Sequence, residues 1–274
     1  MFGNPANSCK LPLAEKGKKA MDRNPQLRTE DAAARAQRLH SRGRHRSAIA
    51  VLTVALCRDG DAAGLWRLRG AVHHAMQQWK TALADVEHAQ LLAPLGVESQ
   101  LVLADGYAFT GKPELAVVAY EHLLTRGDHP PETYAAIYRG LVHCQRRDLA
   151  IECCRAAVRA NPDDHAAYFA MAHCMAALRY SATYIAAVLE KAVEAAPDRD
   201  VYCVSLALQL TRCQRLEEAY AHLCEASINA IESMACACSV KLLVQLCEWA
   251  KDAERGGILS EQLERLMQRR SATE

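Results

Sequence analysis

Alanine returns at a fixed step along this chain: Ala48, Ala82, Ala116 and Ala150 stand 34 residues apart. Their surroundings return with them. ALADVEHAQLLAPLG places Ala82, Ala89 and Pro94 at intervals of seven and five, and LAIECCRAAVRANPDD repeats those intervals at Ala150, Ala157 and Pro162. A period of this length leaves room for two helices and two turns, which is too little to bury an apolar face alone. Such units must stack on their neighbours. The chain divides into units 29–62, 63–96, 97–130 and 131–164, a 35-residue unit 165–199, and a sixth at 200–233. Gly43, Gln77, Gly111, Gln145 and Gln214 mark the turn inside a unit. Pro94-Leu95-Gly96, Asn161-Pro162-Asp163-Asp164 and Pro197-Asp198 end one helix and cap the next.

Composition agrees with close helix packing. Half of the 274 residues are hydrophobic but only 5% are aromatic, so small side chains carry the contacts. The net charge of +1 hides an asymmetry. Residues 1–62 hold twelve Lys and Arg against six Asp and Glu, and the remainder is acidic. Residues 1–28 read as a basic, mostly disordered lead-in. Residues 234–274 read as capping helices: one over 232–250, a stop at Gly256-Gly257, then a final helix capped by Ser260. The twelve cysteines, scattered through apolar helical runs without a CxxC motif, suggest a reducing, cytoplasmic setting.

The pattern resembles the tetratricopeptide repeat family over residues 29–233. The unit 63–96 carries its signature most fully, with Trp66, Gly70, Ala82, Ala89 and Pro94. The next carries Leu103, Ala104, Tyr107, Gly111, Ala116 and Tyr120; later units keep Tyr134, Ala150, Ala157 and Pro162, then Tyr168, Ala172, Ala192 and Pro197. The resemblance implies an all-α fold: an α-α superhelix, or solenoid, of about six helical hairpins plus the C-terminal capping helices. Two departures stand out. Tyr138 takes a place where the family has Gly or Ala, with Gly140 nearby to relieve crowding. The fifth unit has an extra residue within 179–184, which predicts an enlarged turn and puts Ile185 where alanine belongs.

The family's function enters by the same resemblance. The first helix of each unit lines a concave groove that takes an extended or helical peptide. Carried over by position, that groove includes Arg67, His74, Asp105, Phe109, Arg139, His143, Phe169 and His173, over a floor of small or apolar residues such as Ala71, Leu101, Ala135 and Ala176. A band of Arg and His above an apolar floor suits an acidic, amphipathic partner segment. Asp105 and Arg139, one repeat apart, could instead pair with each other. The adjacent His73 and His74 point different ways, His73 as a packing residue and His74 toward the groove. The clamp with which relatives hold acidic heat-shock chaperone tails has no match here. Arg67, Ala71, Val102, Glu132 and Ala136 stand at its places, so those tails are not expected partners.

Other chemistries find little support. No Gly-rich phosphate loop, zinc-peptidase motif or nucleophile elbow occurs, so a non-catalytic scaffold or adaptor without cofactor is expected. Cys236 and Cys238, placed on one predicted helix, would point about 200° apart and could not chelate a metal together. The basic run holding Arg35, Arg38, Arg42, Arg44 and Arg46 offers a rival reading: an adaptor for an anionic partner or nucleic acid, using residues 10–46. No aromatic residues interleave with those arginines, which disfavours stacking on single strands.

Overall fold

A computed structural model describes residues 25–127 and 129–271. Residues 1–24, most of the expected basic lead-in, lie outside it. The described chain is all helical: fifteen helices packed in consecutive pairs. It forms two compact units, one up to Val102 and one from Leu103. The first holds α1 (Pro25–Ser41), α2 (His45–Leu56), α3 (Ala63–Ala75), α4 (Trp79–Leu92) and the start of α5 (Val97–Phe109). The second holds the rest of α5, α6 (Pro113–Arg126), α7 (Glu132–His143), α8 (Arg147–Ala160), α9 (His165–Ala177) and α10 (Ala182–Ala195). It continues through α11 (Asp200–Arg212), α12 (Leu216–Glu225), α13 (Ile228–Glu232), α14 (Ala237–Ala250) and α15 (Ala253–Ser271).

One turn recurs through both units. Seven residues after first helices have left-handed backbone: Gly43, Gln77, Gly111, Gln145, Arg179, Gln214 and Lys251, with φ between 58° and 81°. The amide of the following residue donates back across the helix end each time, as in Gln78 N to His73 O (2.9 Å) and Arg215 N to Leu210 O (3.0 Å). These bonds satisfy carbonyls that the helix terminus would otherwise strand. The donating residue usually caps the second helix at once, so the reversal is only two residues long. At α9–α10 the cap is Ser181, two residues beyond Arg179, so the turn is one residue longer there.

The turn register sets which residues meet. The amide that closes the first full turn of each second helix belongs to Ala48, Ala82, Ala116, Ala150, Ile185 and Ala219, each bonded to its cap carbonyl four residues back. Apart from Ile185, which is 3% exposed, these are sealed alanines. Gly70 faces Ala82 so closely that a Cβ there would lie 2.7 Å from Val86 Cγ2. Second helices end at a non-helical residue before proline at Ala93, Asn161 and Ala196, the first two of them extended.

Three expectations need correction. The helix over 232–250 is broken: α13 is a single capped turn, and α14 starts only at Ala237 because Cys236 is extended (φ −103°, ψ 109°). The final helix starts earlier than Ser260. Asp252 receives the Arg255 amide (3.0 Å) and so caps α15, leaving Gly256 and Gly257 within the helix. Ser260 bonds back to the Gly256 carbonyl at 2.7 Å instead of capping. The resulting α14–α15 hairpin has the same left-handed turn as the units before it. Finally, Gly140 makes room for Tyr120, whose ring tip a Cβ at 140 would strike, rather than for Tyr138. Tyr138 is half-buried beside Cys174.

Candidate peptide-binding face

In the unit from Leu103, the first helices α7 and α9 and the later part of α5 present most of the residues assigned to the groove. Phe109 is 40% exposed, and its ring lies on that of His143, centroids 4.3 Å apart and tilted by 34°. The two residues are one repeat apart, which is why the stacking brings them together. Arg139, one turn before His143 on α7, is exposed and makes no hydrogen bond or ion pair among the described residues. His173, at the place equivalent to Arg139 one repeat on, is exposed as well. Together these give an apolar ring backed by an imidazole beside a solvated guanidinium, which is chemistry suited to a carboxylate next to an apolar side chain.

Two other assigned residues are occupied within the fold. Asp105 is 8% exposed and accepts a hydrogen bond from the Tyr120 hydroxyl at 2.5 Å. Burial, with the Asp105 charge adding to it, drives the Tyr120 phenol far above its ordinary range, so it stays a neutral donor. The carboxylate therefore joins α5 to α6. Phe169 is half-buried and stacked on Tyr202 (4.6 Å, 29°), whose hydroxyl lies 2.9 Å from His165 Nδ1. It fills the junction between α9 and α11.

In the unit up to Val102, Arg67 and His74 are half-buried, and the His74 ring meets Trp79 edge-on at 5.2 Å. His73 is turned away, its Nδ1 2.6 Å from Gln78 Oε1 and its Nε2 3.9 Å from Asp85. The two rings serve different surroundings. Arg35, Arg38, Arg42, Arg44 and Arg46 are all exposed around the α1–α2 turn. Beside them the His40 and His45 rings meet at a 2.9 Å Nδ1–Nδ1 contact. Burial, and then the His45 charge, hold His40 below the usual imidazole value.

The polar cluster that sequence reasoning missed lies in the same unit. Arg69 grips Asp85 through Nε (2.8 Å) and a terminal nitrogen (2.7 Å), reaches Thr53 Oγ1 at 3.2 Å and lies over the Trp66 ring at 4.6 Å. Asp85 is 5% exposed. The Asp85 hydrogen bonds, outweighing desolvation, raise the Arg69 pKa further. A signal was available: Arg69 stands where later hairpins carry Leu103, Ile137, Met171 and Leu206, and Asp85 where they carry Ala119 and Cys153. Two opposite charges at two apolar places of one unit imply each other.

No family model and no curated protein matches the chain. Solved structures do. The C-terminal part of a TPR repeat-containing protein from Cytophaga hutchinsonii matches 85% of this chain and 95% of its own, with 13% identity and a TM-score of 0.65. A tetratricopeptide repeat protein from Parabacteroides merdae matches 88% of this chain and 93% of its own (16% identity, TM-score 0.56). YrrB, described as a TPR protein with an unusual peptide-binding site, matches 61% and 86% (20% identity, TM-score 0.51). The fold is that of tetratricopeptide repeat proteins. None of the described helices is long and apolar enough to cross a membrane.

Proposed function

We propose that this protein is a non-catalytic adaptor that holds an acidic, amphipathic segment of a partner protein on its first-helix face. The observation that carries this reading is the exposed Phe109 ring, seated on His143 near an exposed Arg139 that makes no hydrogen bond or ion pair among the described residues. Phe109 supplies an apolar anchor of low conformational cost, and Arg139 a charge-assisted hydrogen bond that orients the segment. His143 and His173 extend the polar edge. Phe169 and Asp105 support that surface from beneath. The peptide-binding description of YrrB is consistent with such a use of the fold.

Affinity capture from lysate with mass spectrometry tests the proposal. A Phe109→Ala, Arg139→Glu variant with unchanged helical content is expected to lose the partner that the wild-type chain retains. Equal capture by both chains rules the face out. The five exposed arginines of the α1–α2 turn support a second reading, an anion- or nucleic-acid-binding adaptor. It requires retention on a polyanion column that falls steeply with salt and disappears when residues 1–46 are removed.

A further inference from the structure

The cap and first turn of α14 carry two exposed thiols whose placement differs from that of the other cysteines. Cys153, Cys154, Cys174, Cys203 and Cys247 are buried in helix contacts, and burial pushes the Cys153 thiol up to about 12, into an inert range. Cys236 and Cys238 are exposed at the start of the 14-residue α14. Because Cys236 is extended, its side chain folds forward over the first turn. On a continuous helix it would point away from Cys238. Its sulfur lies against the amides and side chains of Cys238 and Ser239. Ala237 between them is helical, which sets the two Cα atoms about 5.5 Å apart, inside the range a disulfide spans.

We propose that Cys236 and Cys238 form a redox-active dithiol that undergoes thiol–disulfide exchange with small-molecule disulfides, independently of any partner on the first-helix face. The division of labour follows from the placement. Cys236 sits where the unpaired amides of a helix start favour negative charge, so it is the attacking thiolate. Hydrogen bonds from Ser239, and then from Cys238, hold it below the ordinary thiol value. It attacks one sulfur of the disulfide and displaces the other as a thiolate, leaving a mixed disulfide on Cys236. Cys238 then loses its proton and attacks Cys236 Sγ, breaking the mixed disulfide and expelling the second thiolate. The small molecule is reduced to two thiols, which take up the two protons. The protein gains one Cys236–Cys238 bond.

The chain provides its own control, because Cys57 is exposed at the opposite, C-terminal end of a helix, α2. Pulsed iodoacetamide alkylation of the reduced protein at neutral pH is expected to label Cys236 several-fold faster than Cys57, and Ser239→Ala to narrow that gap. Exposure to oxidised glutathione is then expected to join Cys236 to Cys238 without retained glutathione. Cys238→Ser should trap glutathione on Cys236, and Cys236→Ser should leave Cys238 reduced. Sites are read by fragmentation, since Cys224 shares their tryptic peptide. The proposal is overturned if Cys236 labels no faster than Cys57, if Cys238→Ser traps no adduct, or if the wild-type chain keeps glutathione on Cys236.

Discussion

Arg69 and Asp85 show what a single pair of residues does to an otherwise repetitive core. Two charges replace two apolar side chains, and each satisfies the other through a fork of hydrogen bonds. Removing one leaves the other desolvated and unpaired, which costs about 3–5 kcal/mol, whereas replacing both with apolar groups is often neutral. Arg69→Leu alone should therefore lower stability by roughly that amount. Arg69→Leu with Asp85→Ala, which restores the pattern of the next hairpin, should recover most of it. Urea unfolding followed by tryptophan fluorescence, to which Trp66 and Trp79 contribute beside Trp249, measures both. A double variant no more stable than the single would assign the loss to the contacts Arg69 makes with Thr53 and Trp66. Tyr120 and Asp105 form a related exception, accommodated by the missing side chain at Gly140.

At the scale of the element, the hairpin turn explains both what could be read in advance and what could not. Turn positions were legible because left-handed backbone selects Gly at 43 and 111, and the alanine step fixes its register elsewhere. The longer α9–α10 turn was legible as an insertion in that count. The C-terminal helices were not. Gly256-Gly257 read as a breaker, although tertiary packing keeps both inside α15, and Cys236 read as helical although its backbone is extended. Local propensity is weak where packing decides. The groove assignments share this limit: position alone cannot tell an exposed ring at Phe109 from a half-buried one at Phe169. The turn itself still carries strain, because Gln214 adopts φ 62° without being glycine. Relieving a left-handed residue of its Cβ is favourable by about 1–2 kcal/mol, offset in part by a freer unfolded chain. Gln214→Gly should thus raise stability by on the order of 1 kcal/mol in thermal or urea unfolding. No change would mean the turn is held at no cost by its surroundings.

Across the molecule, the fold and the face that could bind a partner arise from the same feature. Stacking identical hairpins brings equivalent positions of successive first helices side by side, so a side chain at one place in one unit finds its counterpart in the next, as Phe109 finds His143. Specificity is then written by what stands at those places, while the alanines between the helices keep the spacing. The left-handed turns have a mechanical consequence as well. They fall 34 residues apart from Gly43 to Arg179, then 35 to Gln214 and 37 to Lys251. Pulled from its ends, a chain whose hairpins gave way one at a time would lengthen in near-equal steps of about 120 Å of extended backbone. Such a chain marks its own length, and the widening last intervals would tell its C-terminal end from its N-terminal one.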